Sequence, residues 1–250
     1  LGAIGMEIES IQQAIAGAKR VKTFLAEEER AEADKTPQAD APLAVELANV
    51  DFGYEDGRAV LKNFSLDVAP GEMVTLAGRT GAGKSTIFKL ILGDYEPWAG
   101  EVHVWGVDAA QLAPQARRRF VGHVDQAFKA VPGTVADQIT LGDPGISREE
   151  MTQAAQLAGI GAALEALPQG YDTPYAEGLL SQGQTQLLSI ARAVAANPKL
   201  LLLDEITANL DSGTEQQVME ALRRASQNRA VLSISHRLYE QSGQGCIVQI

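Results

Sequence analysis

Two short stretches of this sequence carry residue types at a spacing that chemistry can use. Gly78-Arg79-Thr80-Gly81-Ala82-Gly83-Lys84-Ser85 fits the phosphate-binding pattern G-x-x-x-x-G-K-[ST]. Glycines let the backbone curl until consecutive N–H groups face the phosphates of a nucleotide, and a following helix adds its positive end. Lys84 is placed to reach the β- and γ-phosphates, the Ser85 hydroxyl to ligate Mg²⁺, and Thr86 to bond near the α-phosphate. The second stretch, Leu200-Leu201-Leu202-Leu203-Asp204-Glu205, ends a buried apolar run in two adjacent carboxylates. Ionised groups avoid apolar surroundings, so stability does not explain the pair. Asp204 can hold a Mg²⁺ shell through water, and Glu205 can polarise the water that attacks a phosphoryl group. A strand that merely exits into solvent is the other reading of these two residues.

The elements that must position these residues alternate along the chain. Residues 44–47 and 64–68 alternate as half-buried strands, with Gly53 and Gly57 marking turns between them. Residues 72–77 form a strand that runs into the glycine-rich loop. A mostly helical stretch, rich in Ala, Gln and Leu, spans about 127–196, and strands return at 200–203 and 230–234 around an amphipathic helix at 213–226. Strand–loop–helix alternation implies an α/β domain with a mostly parallel sheet, and in such sheets ligands sit at the C-terminal ends of the strands. Ahead of it, Ile4, Ile8, Ile11, Ile15 and Ala18 stripe one helix over 1–34. A polar, Pro-marked linker follows at 35–42. By periodicity alone that helix either dimerises or packs.

The balance of the chain excludes several classes. Its 250 residues carry a formal net charge of −11, which argues against a bulk electrostatic grip on nucleic acid. One cysteine, Cys246, permits no internal disulfide and suits a reducing compartment. No apolar run approaches the roughly 20 residues that span a bilayer, and no secretory signal is present. A chain that begins at Leu1 reads as part of a longer protein, so any membrane role is expected to come from outside this sequence. Other residues are ambiguous singly. Tyr54 reads as a strand-surface aromatic, Gln126 as a loop residue, Asp211 as a helix N-cap before Ser212-Gly213-Thr214-Glu215, and His236 as a core or loop histidine. His103 and His123 keep that last reading.

Taken in order, these residues resemble the ATP-binding domain of ABC transporters. Leu180-Ser181-Gln182-Gly183-Gln184 resembles the family's signature motif, about 20 residues before Asp204. The resemblance implies that Tyr54 stacks on adenine with Val60 beside it, and that Gln126 touches Mg²⁺ and senses a transmembrane partner. It further implies that Ala208-Asn209-Leu210-Asp211 is the D-loop and that His236 contacts the γ-phosphate. These motifs cover residues 43–250 and imply a P-loop NTPase core with a small antiparallel β subdomain and an α-helical signature subdomain. Pro132–Ile139 is similar to the exporter segment where a coupling helix docks, and residues 18–25 to the link from a last transmembrane helix in exporter half-transporters. ATP and Mg²⁺ follow as ligands. The implied partners are a second ATPase domain and a transmembrane domain at the cytoplasmic face of the membrane. Ser181, Gly183 and Gln184 would then act on ATP held by the second copy, identical or different.

The match has departures. Gln182 stands where many members carry glycine, Thr185 where a basic residue is frequent, and Ala208-Asn209 where Ser-Ala is usual. Tyr175-Ala176-Glu177-Gly178 and the stretch after His236 are short. Glu205, His236 and Lys84 are all intact. Two other classes compete with transport: a non-transport ATPase switch, and a nucleotide-binding module without turnover. The first typically has tandem domains or a long coiled-coil insertion; the second is disfavoured by Glu205.

Overall fold

The computed structural model describes residues 33–54, 57–204, 210–234 and 245–250. The chain divides into two compact units, Leu1–Ala33 and Asp34–Ile250. The helix expected over 1–34 lies, but for its last two residues, outside the described residues. In chain order the described strands are β1 (Val45–Phe52), β2 (Leu61–Val68), β3 (Met73–Ala77), β4 (Ala99–Val104), β5 (Val107–Asp108), β6 (Val121–Val124), β7 (Leu200–Leu203), β8 (Ala230–Ser233) and β9 (Cys246–Gln249). The helices are α1 (Lys84–Ile91), α2 (Pro114–Phe120), α3 (Val135–Thr140), α4 (Arg148–Ala158), α5 (Gly161–Glu165), α6 (Gln182–Val194) and α7 (Ser212–Ser226).

Five strands build a parallel sheet in the order β6-β7-β8-β3-β9, and four build an antiparallel sheet in the order β2-β1-β4-β5. Both the parallel sheet and the small antiparallel one expected from sequence are therefore present. Side chains of β7 alternate between the two cores that this sheet separates. Leu201 and Leu203 join Val135, Ile139, Met151, Leu187 and Val218 on the helical side. Leu200 and Leu202 join Leu76, Phe88, Leu90 and Leu112 on the other. All four leucines are buried, and burial of each contributes about 2 kcal/mol. A strand covered on both faces has to be apolar throughout, which is why residues 200–203 show no alternation.

Residues 35–42 run along the domain. The Lys35 amide donates to Gln111 O at 3.0 Å, the Gln38 amide to Trp105 O at 3.0 Å, and Ala41 is buried. Among the described residues no helix is long and apolar enough to cross a membrane.

Helix starts are closed by side chains. Thr134 with Asp137, Ser147 with Glu150, and Ser181 with Gln184 form reciprocal capping boxes on α3, α4 and α6, and Asp211 caps α7. Three of these caps are carboxylates held below their ordinary pKa by the bonds they accept. For Asp137 the Thr134 amide is the main cause, and for Glu150 the Ser147 amide. For Asp211 it is the Thr214 hydroxyl and then its amide. A depressed folded value adds stability in full above the unfolded value, 3.8 for Asp and 4.5 for Glu, and loses it as pH falls through the folded value. Asn at 137 and 211 accepts the same bonds without titrating. The double variant is therefore expected to unfold at lower pH than the parent when helix content is followed by circular dichroism; an unmoved acid midpoint would refute the role of these caps.

Candidate functional site

The register of the parallel sheet brings its strand ends to one edge. Val124 faces Leu203, Leu203 faces Ser233, and Thr75 faces Ser233. The residues that follow therefore emerge side by side: Gln126 after β6, Asp204 after β7, Ile234 after β8, and Gly78 after β3. The Asp204 amide donates to Val124 O at 3.1 Å and the Ile234 amide to Leu203 O at 2.9 Å, so pairing continues one residue past the strands.

Beyond β3 the glycine loop turns into α1. Gly83 occupies the N-cap with φ 101° and makes no side-chain cap bond. Any other residue there would be strained, and its Cβ would lie 2.8 Å from Leu61 Cδ2. The first amides of α1 thus lack the side-chain acceptor that closes α3, α4, α6 and α7, as an anion site requires. Lys84 folds over the loop, its Nζ donating to Gly78 O at 2.8 Å and Arg79 O at 3.0 Å. Ser85 is exposed and Thr86 buried, the Thr86 hydroxyl lying 3.1 Å from that of Tyr54.

These residues surround one cleft of about 410 Å³, lined by Tyr54, Val60, Thr80, Gly81, Gly83, Lys84, Ser85, Thr86, Gln126, Asp204 and Ile234. Aromatic, apolar, cationic and carboxylate groups are thereby arranged along one hollow, as a base-plus-phosphate ligand needs. The oxygens of Ser85, Gln126 and Asp204 are hard donors that suit Mg²⁺. No group of three or more His, Cys, Asp or Glu among the described residues could hold a metal unaided.

Other expected site residues lie elsewhere. Gly78, Arg79 and Ala82 belong to the loop without lining the cleft, and neither Ser181, Gly183, Gln184 nor Asp211 lines it. Ser181 and Gln184 cap α6, Gly183 is buried against Thr214 of α7, and Asp211 accepts from the Gly213 and Thr214 amides at 3.1 and 3.0 Å. The helix-cap reading of Asp211 is thus met. Glu205 and His236 fall outside the described residues, one beyond Asp204 and two beyond Ile234. His123 is a core histidine beside Phe88, pushed below its ordinary pKa by burial. His103 lies on the antiparallel sheet, 4.0 Å from Glu46 and 3.9 Å from Glu101.

A larger hollow of about 680 Å³ runs between Gln126–Pro132 and Tyr175–Gln186. Size would favour it as the reactive site, but it contains neither the phosphate loop nor Asp204, and chemistry selects the smaller cleft. Gln126 lines both hollows. The sequence reading missed Ile234 and the cluster behind Tyr54, formed by Phe52, Lys89, Tyr95 and Trp98. Recurring aromatics at 52, 54, 95 and 98 were the available signal.

Residues 61–208, more than half of the chain, match the family described as ABC transporter. The Bacillus subtilis (strain 168) protein YfiC, described as an uncharacterized ABC transporter ATP-binding protein, is 38% identical over 242 residues, covering 95% of this chain and 40% of its own length. The mycobactin import ATP-binding/permease protein IrtA of Mycolicibacterium smegmatis is 39% identical over 237 residues, 94% of this chain and 28% of its own. A solved bacterial Atm1-family ABC exporter with ATP bound superposes with a TM-score of 0.78 at 36% identity, over 99% of this chain and 44% of that one. The chain spans less than half the length of each of these relatives. With the phosphate loop, the carboxylate-ended strand and the signature in family order on the matching fold, the chain belongs to the ABC transporter family.

Proposed function

We propose that this domain binds Mg²⁺-ATP in the 410 Å³ cleft and that its hydrolysis drives export across a membrane. The observation that carries the reading is the convergence of Lys84, Ser85, Gln126, Asp204 and Tyr54 on that one cleft. Tyr54 stacks on the base beside Val60. The loop amides and Lys84 take the phosphates, Lys84 exchanging two backbone carbonyls for β- and γ-oxygens. Ser85, Asp204 and Gln126 would hold Mg²⁺, which when bound would supply positive charge against the charge that develops on the phosphates in transfer. Glu205 orients the attacking water and accepts its proton as the bond from the γ-phosphorus to the ADP oxygen breaks, and His236 contacts the γ-phosphate.

Ser181, Gly183 and Gln184 stand away from the cleft of their own chain, which supports a head-to-tail pair in which each copy closes the other's site. Gln126, shared between the nucleotide cleft and the larger hollow, supports communication with a transmembrane domain seated there. Export as the direction is supported by the likeness of Pro132–Ile139 to the exporter segment and by the Atm1-family structure. The IrtA relative, described as an import protein, makes direction a property to be measured in the protein with its membrane part. The place of action is then the cytoplasmic face of the membrane.

Phosphate release measured across protein concentration tests the paired site. The rate per molecule is expected to rise with concentration and to vanish without Mg²⁺. A rate per molecule that stays flat would overturn the pairing, and turnover without divalent ions would overturn the metal assignment.

A further inference from the structure

Tyr54 is 47% exposed, yet its ring is gripped on several sides. Its hydroxyl meets Thr86, and the Lys89 ammonium lies over its ring, 5.1 Å from the centroid. Thr86 and Lys89 are three residues apart on α1 and so share a helix face. One face of one helix therefore fixes both the tip and the plane of the tyrosine. Phe52 and Tyr95 meet the ring edge-on, at 5.2 Å and 84° and at 5.4 Å and 89°, the arrangement that aromatic quadrupoles favour. Lys89 also lies 5.7 Å from the Tyr95 centroid, so a single ammonium bridges two rings.

The turn ahead of Tyr54 is fixed as well. The Trp98 amide donates to Asp51 O at 2.8 Å, and a Cβ at Gly53 would fall 2.6 Å from an indole carbon. Exposed aromatics scattered singly need no explanation, but Tyr54, Tyr95 and Trp98 stand together. Tyr54 lines the cleft, whereas Lys89 and Tyr95 do not, and reach it from outside.

We infer that Lys89, backed by Tyr95, is a positioning residue for base recognition: it sets the pose of Tyr54 and so the share of nucleotide affinity that comes from the base. The inference rests on the reading of Tyr54 as the stacking residue. A cation held over one ring face draws π density towards itself and leaves the other face better matched to a purine. A ring already held in place also loses little freedom when the base arrives. Lys89 acts through Tyr54 and touches no phosphate.

Calorimetric binding of ATP and of inorganic triphosphate to the full 250-residue chain separates these roles. Lys89→Met, which keeps length and removes charge, is expected to weaken ATP by about three- to tenfold and leave triphosphate unchanged. Lys89→Arg is expected to restore ATP affinity, and Tyr95→Phe to retain it where Tyr95→Leu does not. Unchanged triphosphate binding doubles as evidence that each variant is folded. Parental ATP affinity in Lys89→Met overturns the inference. So does an equal loss of ATP and triphosphate, which would make Lys89 a charge acting on the phosphates. If Tyr54→Leu binds ATP as the parent does, the stacking role of Tyr54 is what has failed, and the inference with it.

Discussion

Lys84→Met is expected to lower ATP hydrolysis by about two to three orders of magnitude, the usual loss when a preorganised donor at a developing charge is removed. The substitution costs the fold little. Both bonds made by Nζ go to carbonyls of its own loop, Gly78 and Arg79, which water can satisfy at the half-exposed rim. What disappears is a positive charge placed to travel with the phosphates. ATP binding should weaken along with turnover, because on the proposed reading Lys84 would contact the phosphates in the ground state too. Glu205→Gln should separate the two effects, retaining ATP with the loop and Lys84 intact while turnover falls to background. Nucleotide affinity and phosphate release measured on both variants distinguish a phosphate clamp from a water-orienting group. A Lys84→Met protein that keeps a tenth of parental turnover would remove Lys84 from the chemistry.

Gly183→Ala is expected to damage both stability and activity. Gly183 is buried at the second position of α6, and a Cβ there would lie 2.1 Å from Thr214 Cγ2. Thr214 cannot easily turn away, since its hydroxyl as well as its amide bonds the Asp211 carboxylate. The added methyl therefore pushes apart the starts of α6 and α7. Overpacking of this kind costs about 1–3 kcal/mol, which for a domain of this size lowers Tm by roughly 2–4 °C per kcal/mol. Activity should fall further than stability, because the displaced helix starts carry Ser181 and Asp211. Thr214→Ser removes the opposing methyl, so the double variant should recover most of the lost Tm. Additive losses in that cycle would refute the contact.

The contrast between local and distant signals explains what sequence could reveal. The phosphate loop and the Leu200–Asp204 strand end are contiguous, so their types and order announce the geometry before any packing is known. Strands β1, β2, β3, β7 and β8 and helix α7 were legible from pattern for the same reason. β4 was not, because Ala99, Gly100 and Glu101 are all exposed and alternation begins only at Val102. α2 buries no residue and so shows no apolar stripe. β6 has only four residues, one a glycine and one a histidine. At the site, Tyr54 was visible but its support was not. Lys89, Tyr95 and Trp98 lie in a helix and loop far along the chain, and only the fold brings them to one ring. The same holds for Gly183 and Thr214, whose contact no spacing rule connects.

The sheet order has a consequence for how the protein is made. The strand that delivers the phosphate loop, β3, is flanked by β8 and β9, and Ile250 closes the row by donating to Ala77 O at 2.8 Å. Both neighbours leave the ribosome some 150 residues after β3. At ordinary synthesis speeds that is a delay on the order of ten seconds or more. Throughout that interval β3 has an apolar sequence and no sheet partner, which is the condition that invites wrong pairing or capture by a chaperone. The nucleotide loop is thus among the first parts of the domain to be translated and among the last able to take its final shape.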